Sequence, residues 1–412
     1  MAKEESKLSK DIMAAMDEIN TINPYATYLN ESTLSEVNNW IDTGSLVLNA
    51  LISGSLYGGI PDGRVTQLAG VSMAGKSFIA LRIAANAQKA GKTVVIFDSE
   101  NAIDSAGAKK LGLDTSKVKY VPSFGIEQTR NAIYKFLISV KEKGLEGKFF
   151  IVIDSLANLQ SELEFTRMAK DSTSADMGSF AKAIKTLVKT CTNLSTLTKT
   201  PILITNHVYD DPSAMYPSLE KNMAGGKAVI YLPSVTVQLA RKPMNTSIDA
   251  GKTFDGKLAA SQKNFSGIVL RALTVKNRFI QQYLEGEMYL SFSTGLDRYY
   301  GLLEIMKGMG VVTNSGPTYH DWSGEKLGYY TKWRKDFELW ENRLLPELEK
   351  RIKSNWSYGN GNNPEEEIFE DDSDDSEDDE ISVELPLDKL KKLKSKVTEK
   401  LDEYEVTLPE DD

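Results

Sequence analysis

Cysteine and histidine are nearly missing from this 412-residue chain, which holds one of the first and two of the second. A lone thiol excludes a disulfide framework and fits a reducing cytoplasm. Cys191 falls on the spacing Ile184, Leu187, Val188, Cys191, Leu194, which marks a buried helix face rather than a reactive thiol. Long apolar runs are missing too. None approaches the ~18 residues of a membrane span, and the N-terminal MAKEESKLSKDIMAAMDEIN mixes acids with lysines where a targeting peptide has an apolar core. The expectation is a soluble, untargeted, cytoplasmic protein with no membrane partner. Nor is there a basic excess: the net charge is −9. Yet residues 365–380 (EEEIFEDDSDDSEDDE) hold 12 acids and no base, and setting those 12 aside leaves +3. DNA or RNA therefore stays open as a partner.

The 41% of hydrophobic residues is enough for a full core, and the length suits a core domain of ~200–250 residues with smaller appendages. Leu8, Ile12, Met16 and Ile19 form one stripe of an N-terminal helix over residues 5–20 that must dock on something. Farther on, strands alternate with helices. RVTQLAG (64–70) reads as a strand and SFIALRIAANAQKAG (77–91) as a helix stopped at Gly91. KTVVIFDSE (92–100), KFFIVIDS (148–155) and TPILITNH (200–207) are short apolar runs of the kind found in strands covered on both faces. The pattern implies an α/β fold with a mostly parallel sheet wrapped by helices. DSTSADMGSF (171–180) and VYDDPSAMYPSLEKNMAGGKA (208–228) read as loops, the second long enough to argue for function. Residues 246–267 read as an exposed insertion between two strands. A small α+β unit is expected near 295–357, a disordered acidic tract at 364–380 and a short charged helix at 386–404. The expected division is an arm (1–40), a core (41–294), a small C-terminal domain (295–357) and an acidic tail (358–412).

GVSMAGKS carries the first chemistry: Gly70, Val71, Ser72, Met73, Ala74, Gly75, Lys76 and Ser77, between a strand and a helix as a phosphate-binding loop requires. Its glycines let successive backbone N–H groups and the helix N-terminus face phosphates. Lys76 would reach the β- and γ-phosphates, and the Ser77 hydroxyl would ligate Mg2+. Asp154, closing FFIVID, would hold a Mg2+-bound water, or else cap a helix. Glu100 in FDSE would orient and deprotonate an attacking water, with simple capping by Asp98 or Glu100 as the alternative. His207, at the end of ILITNH, is a candidate sensor of the γ-phosphate. His320 lies in an expected hairpin turn and is given no chemistry. Spacing alone leaves hydrolysis and phosphoryl transfer both open.

IDTGSLVLNALISGSLYGGIPDGRVTQLAG (41–70), GKTVVIFDSENAIDSAGAKKLGLD (91–114), FFIVIDSLANL (149–159) and RALTVKNR (271–278) resemble, in order and spacing, the RecA recombinases. YATYLNES (25–32), ITNHVYDD and the acidic tail look closer to the UvsX-type recombinases of T-even-like phages, and the likeness spans roughly residues 25–340. The resemblance implies a RecA-type P-loop ATPase core using ATP and Mg2+. It implies a homo-oligomeric helical filament on single-stranded DNA that pairs it with homologous duplex. A recombination mediator and a single-strand-binding protein are implied partners, and the bacterial host cytoplasm is the location if the gene is a phage's. By position, Glu100 resembles the water-activating glutamate, Asp104 an aspartate near the adenine, and His207 the residue coupling the γ-phosphate to the second DNA loop. Lys276 and Arg278 match basic residues that reach ATP bound by the neighbouring protomer. Met177, Gly178 and Ser179 in the first loop, and Met223, Gly225, Gly226 and Lys227 in the second, would meet DNA, with Met177 or Met223 wedged between bases.

Two departures stand out. Gly107 occupies the place of a tyrosine that stacks on adenine in many RecA proteins, so stacking must come from elsewhere, Tyr120 being one candidate. Asp210 and Asp211 make the second loop acidic, so its DNA contacts do not transfer one by one. The competing readings are a ring helicase with a RecA-type core, against which TGSLVLNALI and the C-terminal unit speak, and a non-catalytic ATP-switched mediator, against which Glu100 speaks. A tethered polyanion competes with DNA for the same basic surface or recruits a basic loader protein. Deleting residues 364–412 is expected to tighten duplex binding at physiological salt in a filter or anisotropy assay; unchanged affinity together with an unchanged response to mediator would dismiss that role.

Overall fold

Runs of Val, Ile, Leu and Phe with no polar alternation become the centre of a sheet when each successive side chain meets a covered face. In the computed structural model, which describes residues 13, 15–19, 21–168, 177–209, 221–241, 267–292 and 295–358, this is how the chain is organised. All of them belong to Met1–Gly361, one of two units into which the chain divides; nothing is described of Asn362–Asp412. The short strands β1 (Trp40–Ile41) and β2 (Ile60–Pro61) pair with each other. The central strands are β3 (Val65–Gly70), β4 (Thr93–Asp98), β5 (Val118–Pro122), β6 (Phe149–Asp154) and β7 (Ile202–Tyr209). Next come β8 (Asn222–Met223), β9 (Val235–Arg241), β10 (Gly267–Asn277), β11 (Glu285–Ser291) and β12 (Gly295–Leu296). The sheet order is β12-β11-β10-β9-β3-β7-β6-β4-β5, with β8 folded back on β7. From β5 to β9 the pairing is parallel, and from β9 to β12 it is antiparallel.

The two faces of this sheet build two cores. Val94, Ile96, Phe150, Val152 and Leu203 enter one, with the helices Leu46–Ser53 and Lys76–Lys89. Val95, Phe97, Ile151, Ile153, Ile202 and Ile204 enter the other, with Ile126–Glu142 and Met177–Thr198. Each fully buried aliphatic side chain contributes ~1.5–3 kcal/mol. Cys191 belongs to the second core, and burial pushes its thiol up to about 12, so the expected buried, inert cysteine is what is found. A three-stranded antiparallel sheet, β13 (Val312–Ser315), β14 (Thr318–Asp321) and β15 (Lys326–Tyr329), with the helices Leu302–Gly308 and Leu345–Trp356, makes up the C-terminal α+β part.

Several local readings need correction. His207 does not end β7, which continues to Tyr209 because β8 supplies an antiparallel partner there, Val208 facing Met223. The stretch 208–228 is therefore not all loop: it contains the end of β7, β8 and the start of the helix Ala228–Tyr231. Met177, Gly178 and Ser179 lie in the first turn of the 22-residue helix Met177–Thr198 rather than in a loop, since the apolar spacing that follows recruits them. His320 lies within β14 opposite Thr313, not in the turn, which Gly316 makes with φ 62°. Of the N-terminal stripe, Met16 and Ile19 are helical and exposed, while Leu8 and Ile12 lie outside the described residues. Residues 246–266 of the insertion, the acidic tract and the helix expected at 386–404 lie outside them as well; the insertion joins β9 to β10. Among the described residues no helix is long and apolar enough to cross a membrane.

Asn49 ties the helix Leu46–Ser53 to the rest. It is fully buried; its Oδ1 accepts from the Thr43 N–H at 2.9 Å and the Thr43 hydroxyl at 2.7 Å. Its Nδ2 donates to Asp42 Oδ1 at 2.8 Å and the Leu56 carbonyl at 2.9 Å. The whole capacity of the amide is used. Asn49→Leu orphans buried backbone groups and is expected to cost about 3 kcal/mol, read as a lowered denaturation midpoint with an unchanged m-value.

Candidate nucleotide site

In an open parallel sheet, ligands bind at the carboxyl ends of the strands. Here the register sets Gly70 beside His207, and Asp98 beside Asp154, so that β3, β4, β6 and β7 deliver their ends to one edge. Gly70 cannot carry a side chain, because a Cβ would stand 2.7 Å from the Leu239 carbonyl oxygen of β9. Val71, Ser72 and Met73 are exposed, Met73 in the left-handed region at φ 64°, whereas Ala74 is fully buried in the core. Gly75, at φ 75°, opens the helix Lys76–Lys89. This arrangement presents the loop's backbone to an anion and explains why a small residue stands at Ala74.

Lys76 is 6% exposed and donates to the carbonyls of Gly70 at 2.9 Å and Val71 at 3.0 Å. Burial lowers its pKa, opposed by the charges of Glu100 and Asp154. Asp154 is 3% exposed and accepts from the Thr205 hydroxyl. Burial raises its pKa, hydrogen bonds from Thr205 and Ser77 oppose this, and the nearby Glu100 and Asp98 add to it. A buried carboxylate bonded to Ser77 and repelled by two others suits a hard cation. The donor set therefore fits Mg2+, as the sequence implies.

The Asp98/Glu100 alternative resolves between the two residues. Asp98, fully buried, is the cap: it accepts from the backbone N–H of Glu100 at 2.9 Å, Asn101 at 2.8 Å and Ile103 at 3.3 Å, and from the Tyr120 hydroxyl at 3.0 Å. Glu100 is left to project. Its side chain is 29% exposed, accepts from the Ser155 hydroxyl at 3.0 Å, and lies 3.4 Å from His207 Nε2. Ser99 ties the ends of β4 and β6 together, its hydroxyl donating to the Ser155 carbonyl at 2.7 Å and accepting from the Ser155 N–H at 2.9 Å. Ser99, Ser155 and Thr205 are residues of this edge that sequence reasoning misses. None of the three carries a readable signal, whereas Asp98, a carboxylate at a strand end, is the cap that the sequence offers.

His207 connects this edge to the next segment. Its carbonyl accepts from the Ala224 N–H at 3.2 Å, and Asn206 donates to the Ala224 carbonyl at 3.0 Å while accepting from the His207 N–H at 2.8 Å. The turn carrying Gly225, Gly226 and Lys227 thus hangs on Asn206 and His207. Met223 is a correction: it is 5% exposed, its sulfur accepts from Gln67 Nε2 at 3.2 Å, and it belongs to the core instead of a base-wedging surface. Gly225 is buried against Ile184, while Gly226 and Lys227 are exposed. Gly178 is exposed and Ser179 partly so.

Asp104 caps the helix Ser105–Lys110, accepting from the Gly107 N–H at 2.7 Å, and lines a cavity of about 490 Å³ beside Ser77. Tyr120 is not among the residues that line that cavity. From the edge strand β5 its hydroxyl donates to Asp98 of β4, and its ring is exposed.

Lys276 and Arg278 are not near the phosphate loop of their own chain. The Arg278 N–H bonds to the Ser234 carbonyl and the Ser234 N–H to the Val65 carbonyl, which sets Arg278 level with the start of β3. Gly70 lies five residues along that strand, ~16 Å away at 3.3 Å per residue. Lys276 donates to the carbonyls of Tyr231 and, at 2.7 Å, of Pro233. Burial, with the Arg278 charge adding to it, pushes its ammonium down to about 8.

A model of the RecA N-terminal domain matches residues 10–297. The chain belongs to the RecA recombinase family. Its fold is the RecA-type α/β core. It is 29% identical over 319 residues to protein RecA of Streptomyces rimosus, covering 77% of each chain. It is 28% identical over 319 residues to that of Mycobacterium ulcerans, covering 77% of this chain and 84% of the relative. To the RecA of Aquifex pyrophilus it is 26% identical over 320 residues, covering 76% and 82%. These three relatives are bacterial proteins.

The depressed Lys276 has a direct signature. Below about pH 8 its ammonium is charged, and above it neutral, well short of the usual lysine range. NMR of isotope-labelled lysines should show one side chain titrating near 8 in the free protein and missing in Lys276→Arg; a wild-type spectrum with every lysine titrating above 10 would contradict it.

Proposed function

We propose that this protein is an ATP-dependent DNA strand-exchange recombinase, which forms helical filaments on single-stranded DNA and pairs it with homologous duplex in recombination, repair and recombination-dependent replication. One observation carries the reading: the residues assigned to the nucleotide stand toward two opposite edges of the same sheet. The phosphate loop, Glu100, Asp154 and His207 stand at one edge, and Lys276 with Arg278 at the other. A basic group as far from its own phosphate loop as Arg278 serves a nucleotide only when a second copy brings it there. Head-to-tail contacts between unlike edges produce helical assemblies instead of closed pairs.

Within one site, the loop amides and Lys76 hold the triphosphate of ATP, Lys76 exchanging its two carbonyl acceptors for phosphate oxygens. Ser77 and Asp154 would hold Mg2+, which when bound supplies charge neutralisation to the phosphate oxygens. Glu100, steadied by Ser155 and His207, orients a water and accepts its proton. His207 passes the presence of the γ-phosphate to the turn at Gly225, Gly226 and Lys227 through its carbonyl and through Asn206. There, and at Gly178 and Ser179, backbone amides and Lys227 would meet DNA phosphates. Met177 remains a wedge candidate. Residues 1–40 serve as the arm that docks on the adjacent protomer, and 358–412 as a tail that tempers duplex binding. Partnership with a mediator and a single-strand-binding protein, and the UvsX-type phage assignment with its host cytoplasm, rest on sequence resemblance, carried by YATYLNES, ITNHVYDD and the acidic tail.

Lys76→Ala is expected to abolish ATP turnover. Glu100→Gln should retain ATP binding and filaments while hydrolysis falls ~100-fold or more. Electron microscopy with single-stranded DNA and a non-hydrolysable ATP analogue should show extended right-handed filaments; hexameric rings would favour the helicase and no assembly the mediator.

A further inference from the structure

The sheet face that carries the second core is aliphatic over most of its area, and a polar side chain there costs stability unless it is bonded. Ala69 of β3 stands on this face, opposite Asn206 of β7 on one side and Gln238 of β9 on the other. Gln67, two residues earlier on β3, shares the face and stands opposite Thr236 of β9. All four polar side chains bond to one stretch, residues 221–230. Gln238 Oε1 accepts from the Lys221 N–H at 3.0 Å, and Gln67 Nε2 donates to the Met223 sulfur at 3.2 Å. Asn206 Nδ2 donates to the Ala224 carbonyl at 3.0 Å, and the Thr236 hydroxyl to the Ile230 carbonyl at 3.2 Å. Three neighbouring strands, β9, β3 and β7, thus give one carboxamide each to a cradle for β8 and the residues that follow it.

Gln67 is the member of this cradle that stability does not explain. It is fully buried, its sulfur partner is a weak acceptor, and its Oε1 meets no donor among the described residues. A buried amide oxygen without a donor costs stability, and an apolar side chain of the same size would fill the place more cheaply. What the glutamine supplies is a fixed place for Met223, two residues before Gly225. We infer that Gln67 is a positioning residue for the turn of Gly225, Gly226 and Lys227. It anchors that turn to the strand that leads into the phosphate loop, as Asn206 and His207 anchor it to β7. The inference rests on the reading of this turn as a DNA contact and adds what holds it in place.

Two measurements on the full chain test it. Hydrogen exchange of the free protein reads the position, through the amides of Ala224, bonded to the His207 carbonyl, and Gly226, bonded to the Met223 carbonyl. In Gln67→Met, which keeps the length of the side chain, residues 222–226 should exchange roughly five-fold faster, the size of one hydrogen bond, while the melting temperature holds or rises. Fluorescence anisotropy with oligo(dT) and a non-hydrolysable ATP analogue reads the consequence. Gln67→Met should weaken binding roughly five-fold and add little to the loss in Lys227→Ala, because both act through one turn. Unchanged exchange at 222–226, or DNA losses that add in full, would overturn the inference. So would a melting temperature that falls in both Gln67→Met and Gln67→Leu, the behaviour of an ordinary core residue. Faster exchange in Gln67→Met with no effect of Lys227→Ala on oligo(dT) would instead keep the anchor and remove the DNA reading of the turn.

Discussion

Parallel pairing of β4, β6, β7 and β3 is the constraint on which everything else rests. A parallel strand must be followed by a crossover that returns the chain to the starting edge, so every strand in the set opens its carboxyl end on the same side. Both faces of the sheet are covered by helices and filled by aliphatic side chains, which leaves that edge as the one place where Asp98, Asp154, Glu100 and His207 can meet. Charge gathers there because the interior cannot hold it unpaired. Asp154 tolerates burial through Thr205 and Ser77, and Lys76 through two loop carbonyls.

The same sheet also explains why Lys276 and Arg278 stand apart from the phosphate loop. β9 runs parallel to β3, but β10 turns back against it, so residues late in β10 finish at the opposite edge. Lys276 and Arg278 are carried away from the phosphate loop by the reversal that makes them neighbours of the sheet's other end. Arg64 is nearby, lowered by its own burial and by the Arg278 charge, and donates to the Ser35 carbonyl at 2.7 Å, holding the segment that leads into the core. That edge therefore concentrates positive charge where the preceding segment enters.

Much of this was legible in residues. The strand runs, the phosphate loop, Glu100, Asp154, the buried Cys191 and the helix ending before Gly91 follow from local pattern, because short apolar runs and glycine conformations are set by near neighbours. Where local pattern misleads, a distant partner intervenes. Met223 sits in a polar, irregular stretch, yet Gln67 and the second core claim it. Met177 to Ser179 extend a helix whose apolar face begins later.

The sequence by itself determined the chemistry: a phosphate loop between strand and helix, carboxylates at strand ends, and an α/β alternation, all properties of residues close along the chain. Tertiary structure alone decided which of those groups meet. It made Asp98 a cap and left Glu100 to project, gave Asp154 its Thr205 partner from a strand fifty-one residues on, and set Lys276 and Arg278 at the far edge. Strand order, register and direction are the reason. They emerge from the packing of both sheet faces at once, and no local window of sequence contains them.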